Sequence, residues 1–252
     1  MKNISVTVWE YARVLAAALV LASMIRATLF EPFKIPSSSM VPTLLVGDFL
    51  FVNKFKYGLR EPCSGNRYGS KHSPQRGDVV VFEKKKGYLC GLLLGVGSLN
   101  FIKRVVAIPG DKVSYNNKTL YVNDKPAHKE SLERYSYIDG RGNHLSAKMY
   151  EETLGEVKYN TLIMHDRMGM DLAPIVVPDG HYVVMGDNRD NSLDSRAWNY
   201  PSWGFVKAES ILGNASWIFW SWDKKFRPRF ERPFSSLRAE EVIVEPQNQQ
   251  GK

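Results

Sequence analysis

Two kinds of hydrophobic pattern divide the chain. Near the N-terminus, residues 14–25 form an apolar run without charge, bounded by Arg13 and Arg26. Beyond residue 30, apolar positions come in short runs or alternate with polar ones, and turn-forming residues separate them. Short runs of this kind are typical of β-strands. The pattern therefore predicts one N-terminal helix followed by a mainly β body.

The N-terminal apolar run is shorter than the roughly 17 to 25 residues that a membrane-spanning helix needs. A cleaved signal peptide, a membrane anchor and a buried helix all remain compatible with this length. Aromatic side chains on both flanks extend the stretch that suits a membrane: Trp9 and Tyr11 precede it, and Phe30 and Phe33 follow it. We therefore predict an uncleaved transmembrane anchor over residues 1–30.

The β body contains several stretches that predict strands, and turn signals separate them. A hairpin is predicted around Asn116 and Asn117, because asparagine tolerates the backbone conformation of tight turns. No internal repeat is visible. The other predicted strands lie at residues 49–54, 79–82, 101–108, 183–185 and 215–222, and a turn at Arg76-Gly77-Asp78 leads into the strand at 79–82.

The strand signals also suggest how the chain is divided. Residues 31–123 and 175–222 form a β-rich core with an expected antiparallel sheet. Residues 124–174 are polar and weakly patterned, which indicates an insertion or a smaller second lobe. Residues 223–252 form a C-terminal tail.

Charge and cysteine content narrow the choice of partners. The chain has 34 Lys and Arg against 26 Asp and Glu, a formal net charge of +8. Such a surface attracts anions, but no basic block interleaved with aromatic residues is present, so we expect lipid headgroups rather than nucleic acid. Cys63 and Cys90 match no metal-binding pattern, and whether they form a disulfide stays open. We expect neither a metal nor a cofactor.

Candidate chemistry lies in three serines and one lysine. The stretch PSSSM at residues 36–40 places three hydroxyls shortly after the apolar segment, and Lys103 lies within the apolar stretch FIKRVV. Burial penalises an ammonium group, so such a lysine can be a neutral base near pH 7. A serine and this lysine would form a nucleophile and its base, although either feature alone is more often a turn or a surface residue.

A third polar stretch, GDNRDNSLDSR at residues 186–196, contains three acids and two arginines. Such density is typical of a hydrogen-bonded scaffold around a site. A calcium loop is the alternative, but the required glycine and glutamate positions are missing. A Ser-His-Asp enzyme also stays possible, although no Gly-x-Ser-x-Gly motif occurs.

Together, four ordered blocks resemble bacterial type I signal peptidases. The likeness covers roughly 110 residues, and four blocks in order are far more specific than any one of them. It implies a serine endopeptidase anchored in the membrane. The blocks are IPSSSMVPTL at 35–44, RGDVVVF at 76–82, IKRVVAIPGD at 102–111 and GDNRDNSLDSR at 186–196.

The resemblance implies a role for each matching residue. Ser39 would be the nucleophile and Lys103 the general base. The hydroxyl of Ser37 and the backbone N–H of Ser39 would form the oxyanion hole. This chain departs from the commonest pattern at Ser38, where the family most often has glycine.

The last block supplies supporting residues. By the resemblance, Ser192 orients the lysine amine, and Asp194 with Arg196 forms a supporting ion pair. Asp187 and Arg189 belong to the same block without an assigned chemical step.

The implied activity is the removal of signal peptides from exported preproteins, with cleavage after small-x-small sequences through an acyl-enzyme. The enzyme would lie in the cytoplasmic membrane with its catalytic domain on the outer face, and signal peptides and the phospholipid bilayer would be its partners. The aromatic stretch 217–222 suits either lipid contact or a core strand. A self-cleaving repressor-type protease and an inactive signal-peptide-binding domain are the rival interpretations.

Overall fold

The computed structural model describes residues 9–20, 30–60, 67–69, 72–85 and 98–241. Residues 9–20 are helical. Within these described ranges, no helix combines the length and apolar character needed to cross a membrane. The remainder of the predicted anchor, residues 1–8 and 21–29, lies outside the described residues, as do Cys63 and Cys90.

The body of the chain is built from β-strands, which confirms the prediction of a mainly β fold. Two short 3-10 helices, Arg189–Asn191 and Ala208–Ser210, accompany them. The strands are β1 (Phe30–Lys34), β2 (Asp48–Asn53), β3 (Leu59–Arg60), β4 (Arg67–Tyr68), β5 (Val79–Lys85), β6 (Ser98–Ala107), β7 (Lys112–Asn116), β8 (Thr119–Val122), β9 (Lys125–Pro126), β10 (His128–Ile138), β11 (His144–Leu154), β12 (Val157–Ile163), β13 (Leu172–Val176), β14 (His181–Met185), β15 (Val206–Lys207), β16 (Ile211–Ser221) and β17 (Glu240–Glu241).

The largest sheet has seven strands in the order β1-β2-β16-β5-β6-β14-β15. Its strands pair antiparallel, as the sequence predicted. Two four-stranded sheets, β10-β11-β12-β17 and β13-β7-β8-β9, and the two-stranded sheet β3-β4 complete the topology. Because β9 lies in the segment 124–174 and pairs with β8 of the core, and β13 crosses the end of that segment, the two parts share a sheet. The division into domains stays a prediction.

The alternating pattern of β2 shows why this sheet forms. Leu50 and Val52 are fully buried, while the residues between them are partly exposed. Leu50 packs in one cluster with Ile218 of β16 and with Met40 and Leu44 from the loop after β1. Period-two patterning thus buries one face of the sheet and attaches the serine-bearing loop to it.

Two predicted turns are present. The hairpin between β7 and β8 turns at Asn117 and Lys118, whose φ angles of 44° and 59° lie in the left-handed region. Gly77, with φ of 87°, precedes β5, and a Cβ atom there would lie 2.9 Å from the Cβ of Ala239. The tight turn and the close approach both favour glycine at this position.

Candidate active site

Ser39 and Lys103 are brought together from distant parts of the sequence. Ser39 lies in the turn after β1, and Lys103 lies on β6 in the middle of the seven-stranded sheet. Their Oγ and Nζ atoms are 2.7 Å apart, a hydrogen-bond distance. Both side chains are buried, with exposures of 8% and 3%. This contact is the central geometric feature of the site.

The environment of Lys103 favours the neutral amine. Burial lowers its pKa from 10.5 to about 8, and the carboxylates of Asp194 and Asp187 oppose that shift. In the ammonium form, Nζ donates to Ser39 Oγ and to the carbonyl of Ile102. Once neutral, Nζ carries a lone pair within reach of the Ser39 hydroxyl proton. A base adjacent to a hydroxyl is the arrangement that activates a serine.

The three consecutive serines have different surroundings. Ser37 is exposed, and its Oγ lies 3.4 Å from Oγ of Ser39. Ser38 is buried, and its Oγ accepts a hydrogen bond from Nδ2 of Asn191 at 3.0 Å. Of the three hydroxyls, Ser39 is the one that contacts Lys103. The structure therefore separates residues that look equivalent in the sequence.

The block at residues 186–196 lies against the backbone of Ser39, and Gly186 allows the two stretches to come this close. A Cβ atom at Gly186 would lie 2.4 Å from the backbone oxygen of Ser39 and 2.2 Å from Oγ of Ser192. Any side chain there would force the two stretches apart. The N–H of Gly186 donates to Asp194 Oδ2 at 2.9 Å, which fixes the block internally.

Asp194 and Arg196 form the ion pair that the sequence predicted. The guanidinium binds the carboxylate with two hydrogen bonds of 2.9 and 2.8 Å, and both residues are buried. Burial opposes the charge on Asp194, but Arg196, together with the Gly186 N–H and Ser192, lowers the pKa of this carboxyl below its usual value. The Oγ of Ser192 is buried and makes no hydrogen bond to Lys103. Its role in orienting the amine stays a prediction.

Two further ion pairs support the site. Asp187 accepts two hydrogen bonds from Arg104, at 2.8 and 2.7 Å, and one from the Thr43 hydroxyl at 2.6 Å. Arg189 donates to Glu152 of β11, with one bond of 2.6 Å. All four charged side chains are at most 2% exposed. Buried charges need such pairing because desolvation is costly.

Sequence reasoning missed Arg104 and Glu152 as members of this network, and also Tyr137, whose hydroxyl accepts a hydrogen bond from Asn188 Nδ2 at 2.8 Å. Arg104 stands next to Lys103 in a recognised block, and an arginine in an apolar strand implies a buried acidic partner. Glu152 and Tyr137 lie in the weakly patterned segment 124–174, where no motif marks them. In the described part of the chain, no group of three or more His, Cys, Asp or Glu side chains is placed to hold a metal ion.

Comparison with known proteins supplies the family. Residues 8–220 match the family model described as signal peptidase, peptidase S26. The chain belongs to the signal peptidase family.

Curated relatives agree with this assignment. Signal peptidase I of Pseudomonas fluorescens is 39% identical over 88% of this chain and 77% of its own length. Signal peptidase I of Haemophilus influenzae is 35% identical over 91% of this chain and 76% of its own, and that of Buchnera aphidicola from Schizaphis graminum is 36% identical over 80% and 72%. A crystal structure of a signal peptidase I from Enterococcus faecalis matches 58% of this chain and 100% of its own, with 23% identity and a TM-score of 0.31, a likeness too weak to carry an argument.

Membership in the signal peptidase family fixes the general activity. The chain is a hydrolase, a serine endopeptidase that removes signal peptides from preproteins. The family is associated with membranes in bacteria. These statements confirm the resemblance found in the four blocks. They leave the roles of individual residues, the cleavage sequence and the orientation in the membrane as predictions.

Proposed function

We propose that this signal peptidase uses Ser39 as its nucleophile and Lys103 as its general base, and that the reaction passes through an acyl-enzyme. The observation that carries the proposal is the contact of 2.7 Å between Nζ and Oγ of two buried residues. Its physical support is the pKa of Lys103, which burial lowers to about 8. At neutral pH, a useful fraction of the amine can therefore accept a proton.

The first half of the reaction forms the acyl-enzyme. The neutral Lys103 amine takes the hydroxyl proton of Ser39 as Oγ attacks the scissile carbonyl carbon. A tetrahedral intermediate with a negatively charged oxygen results. When it collapses, the Lys103 ammonium gives its proton to the leaving nitrogen, and the C–N bond breaks.

The second half regenerates the enzyme. Lys103, neutral again, takes a proton from a water molecule as the water oxygen attacks the acyl carbon. Collapse of the second intermediate breaks the bond to Ser39 Oγ, and the proton on Lys103 returns to that oxygen. One peptide bond and one water are consumed, and a carboxylic acid and an amine are released.

The oxyanion would be stabilised by the hydroxyl of Ser37 and the backbone N–H of Ser39. The exposed position of Ser37, with its Oγ 3.4 Å from the nucleophilic oxygen, supports this role. An exposed hydroxyl can rotate to donate to the charge that develops on the substrate.

We infer that Asp194 and Arg196 tune the lysine. The charge on Asp194 raises the pKa of Lys103, whereas Arg196 lowers it. Because these two opposite charges are paired, their effects oppose each other, and burial remains the main influence on the pKa of the amine. We assign Ser192 to the same supporting group, because its side chain packs against Gly186 beside the nucleophile.

The substrate preference and location follow from the family resemblance. We propose cleavage after small-x-small sequences at the end of signal peptides, by a catalytic domain on the outer face of the cytoplasmic membrane. A basic chain without a nucleic-acid pattern supports an anionic lipid surface as the second partner.

Exposed aromatic side chains add structural support for lipid contact. Three phenylalanines after β16 are 76 to 81% exposed, and each contacts a tryptophan. Aromatic residues of this kind favour the interface between a bilayer and water. We call this surface the aromatic face; its pairs are Trp217 with Phe234, Trp220 with Phe230 and Trp222 with Phe226.

The test of the dyad is cleavage of a labelled preprotein in detergent by the purified enzyme and by Ser39→Ala and Lys103→Ala. Each substitution should lower the rate by at least about a thousandfold, because the two residues act as a unit. Ser146→Ala and Lys125→Ala, at exposed positions on β11 and β9, serve as matched controls. Cleavage by Lys103→Ala near the rate of the unmodified enzyme would refute the assignment.

A further inference from the structure

Ser38 is the serine of residues 37–39 that the proposed mechanism does not use. Its side chain is 6% exposed, and Oγ accepts the hydrogen bond from Asn191 Nδ2 at 3.0 Å. Asn191 ends the 3-10 helix Arg189–Asn191 in the block that wraps around the dyad. The bond therefore joins the two stretches of chain that form the site. A glycine at position 38 would offer Asn191 no side chain.

Asn188 holds the two peptide units on either side of the Ser39 Cα atom. Its Nδ2 donates to the carbonyl of Ser38 at 2.9 Å, and its backbone N–H donates to the carbonyl of Ser39 at 3.2 Å. Nδ2 also donates to the hydroxyl of Tyr137 at 2.8 Å. Asn188 is completely buried, so water cannot replace these bonds without a rearrangement.

Tyr137 connects the serine turn to the β10–β11 hairpin. Its hydroxyl accepts hydrogen bonds from both asparagines, with the bond from Asn191 at 3.4 Å. Its ring packs in a buried cluster with Val41, two residues beyond the nucleophile. Three elements thus meet at the turn: the hairpin, the 3-10 helix and the loop that follows β1.

The position of a nucleophile matters as much as its identity. A displacement of 1 Å can cost about a hundredfold in rate, and precise sites depend on supporting hydrogen bonds that lock the reacting groups. Within the described residues, the Ser39 hydroxyl hydrogen-bonds only with Lys103 and Ser37, and proton transfer to Lys103 changes the first of these bonds. Its orientation must therefore be set through the backbone and through Ser38.

We propose that Ser38, Asn191 and Tyr137 are positioning residues, which hold the turn so that Ser39 Oγ faces the lysine and the substrate carbonyl. They act through Ser39 and do not touch the reacting atoms. The proposal rests on the proposed function, in which Ser39 is the nucleophile. It also gives part of the segment 124–174 a task, because Tyr137 lies within it.

The test compares Ser38→Ala, Asn191→Ala and the double variant of the full chain in detergent, with a labelled preprotein peptide. Each single substitution should lower kcat about tenfold with KM unchanged. The double variant should lose little more than Asn191→Ala alone, because both changes remove the Ser38–Asn191 bond and Asn191→Ala already removes the longer bond to Tyr137 as well. The pH at which kcat reaches half its maximum should not move, because the charges around Lys103 are unaltered. Ser146→Ala and Asn160→Ala, at exposed positions, are the controls.

Two conservative variants separate positioning from folding. Ser38→Thr retains an oxygen for Asn191 and should recover most of the rate that Ser38→Ala loses, and Tyr137→Phe, which keeps the ring, should lower kcat about threefold. An unchanged kcat in Ser38→Ala, equal rates for Ser38→Thr and Ser38→Ala, or losses that multiply in the double variant would overturn the proposal. Complete loss in Ser38→Ala together with activity in Ser39→Ala would instead overturn the assignment of the nucleophile.

Discussion

The candidate active site and the aromatic face of this signal peptidase differ from the usual placement of charged and apolar residues. The candidate active site buries charged groups such as Arg104 and Asp187, at 1% exposure each, whereas the aromatic face leaves Phe234 81% exposed. Charged side chains are rarely buried unless paired, and large exposed apolar patches usually mark a contact surface. In the candidate active site, each of these charges is paired with an opposite charge of the same chain. On the aromatic face, the phenylalanine side chains point outward, and no described residue covers them. We infer that the first is built for chemistry and the second for docking.

The sharpest way to break this contrast is to remove one member of a buried ion pair. Glu152→Ala leaves Arg189 buried without its carboxylate, and also removes the acceptor of the Tyr159 hydroxyl. We expect a loss of about 3–5 kcal/mol in the free energy of unfolding, the usual cost of an uncompensated buried charge. Denaturant unfolding of the purified protein measures this loss.

Two exposed positions serve as controls for that experiment. Glu130→Ala on β10 and Phe230→Ala on the aromatic face should each change stability by about 0.5 kcal/mol or less, as expected for surface sites. If Glu152→Ala changed the free energy of unfolding as little as these controls, the stability of the candidate active site would not depend on its charge pairs.

Removing the charge of Lys103 should have a second, smaller effect on stability. Unlike the loss of Glu152, it should stabilise the protein. Its folded pKa of about 8 lies below its ordinary value of 10.5, so the unfolded chain binds more protons between these two pH values. Stability from this group therefore rises as pH increases from about 8 to about 10.5 and is lacking at lower pH. The shift corresponds to on the order of 3 kcal/mol.

Lys103→Met should consequently abolish cleavage and yet stabilise the protein at pH 7. We expect the unfolding free energy to increase by up to about 3 kcal/mol at pH 7 and by much less at pH 10.5. Cleavage by the unmodified enzyme should increase with pH through about 8, because the amine becomes neutral there. Urea unfolding at both pH values and a pH–rate profile provide the measurements; equal gains at both pH values would contradict this origin.

The two regions were predictable from the sequence to different degrees. The strand at residues 49–54 and the turns at Gly77 and Asn117 follow from local chemistry, and the structure has these elements where they were expected. Ser39 and Lys103 could be singled out because ordered blocks limit the possibilities, whereas their contact depends on the pairing of distant strands. Local patterns do not specify such pairing.

The residues that support the candidate active site could not be predicted from the sequence for the same reason. Tyr137 and Glu152 reach the site only because β10 and β11 fold back against the block at 186–196. No local pattern distinguishes a glutamate that meets a buried arginine from one on an exposed strand, as Glu152 and Glu130 show. The different tasks of Ser37, Ser38 and Ser39 likewise depend on neighbours that are remote in sequence.

The smallest effect on folding should come from the aromatic face, where the expected change is in binding. Replacing Phe226, Phe230 and Phe234 together by serine removes exposed side chains, so stability should fall by about 1 kcal/mol or less in total. Each ring contacts a tryptophan on or just after β16, so the triple variant also removes the aromatic pairs.

Binding of the triple variant to vesicles that contain anionic lipid should weaken about tenfold. Its kcat on a short soluble peptide in detergent should stay unchanged, because these residues lie outside the proposed dyad and its supporting residues. As a comparison that removes charge instead of apolar surface, Lys224→Ser and Lys225→Ser together should weaken binding less at high salt than at low salt, since headgroup attraction is screened. Undiminished vesicle binding by the triple variant would show that this exposed surface does not dock to lipid, and the contrast between the two regions would then lose its functional meaning.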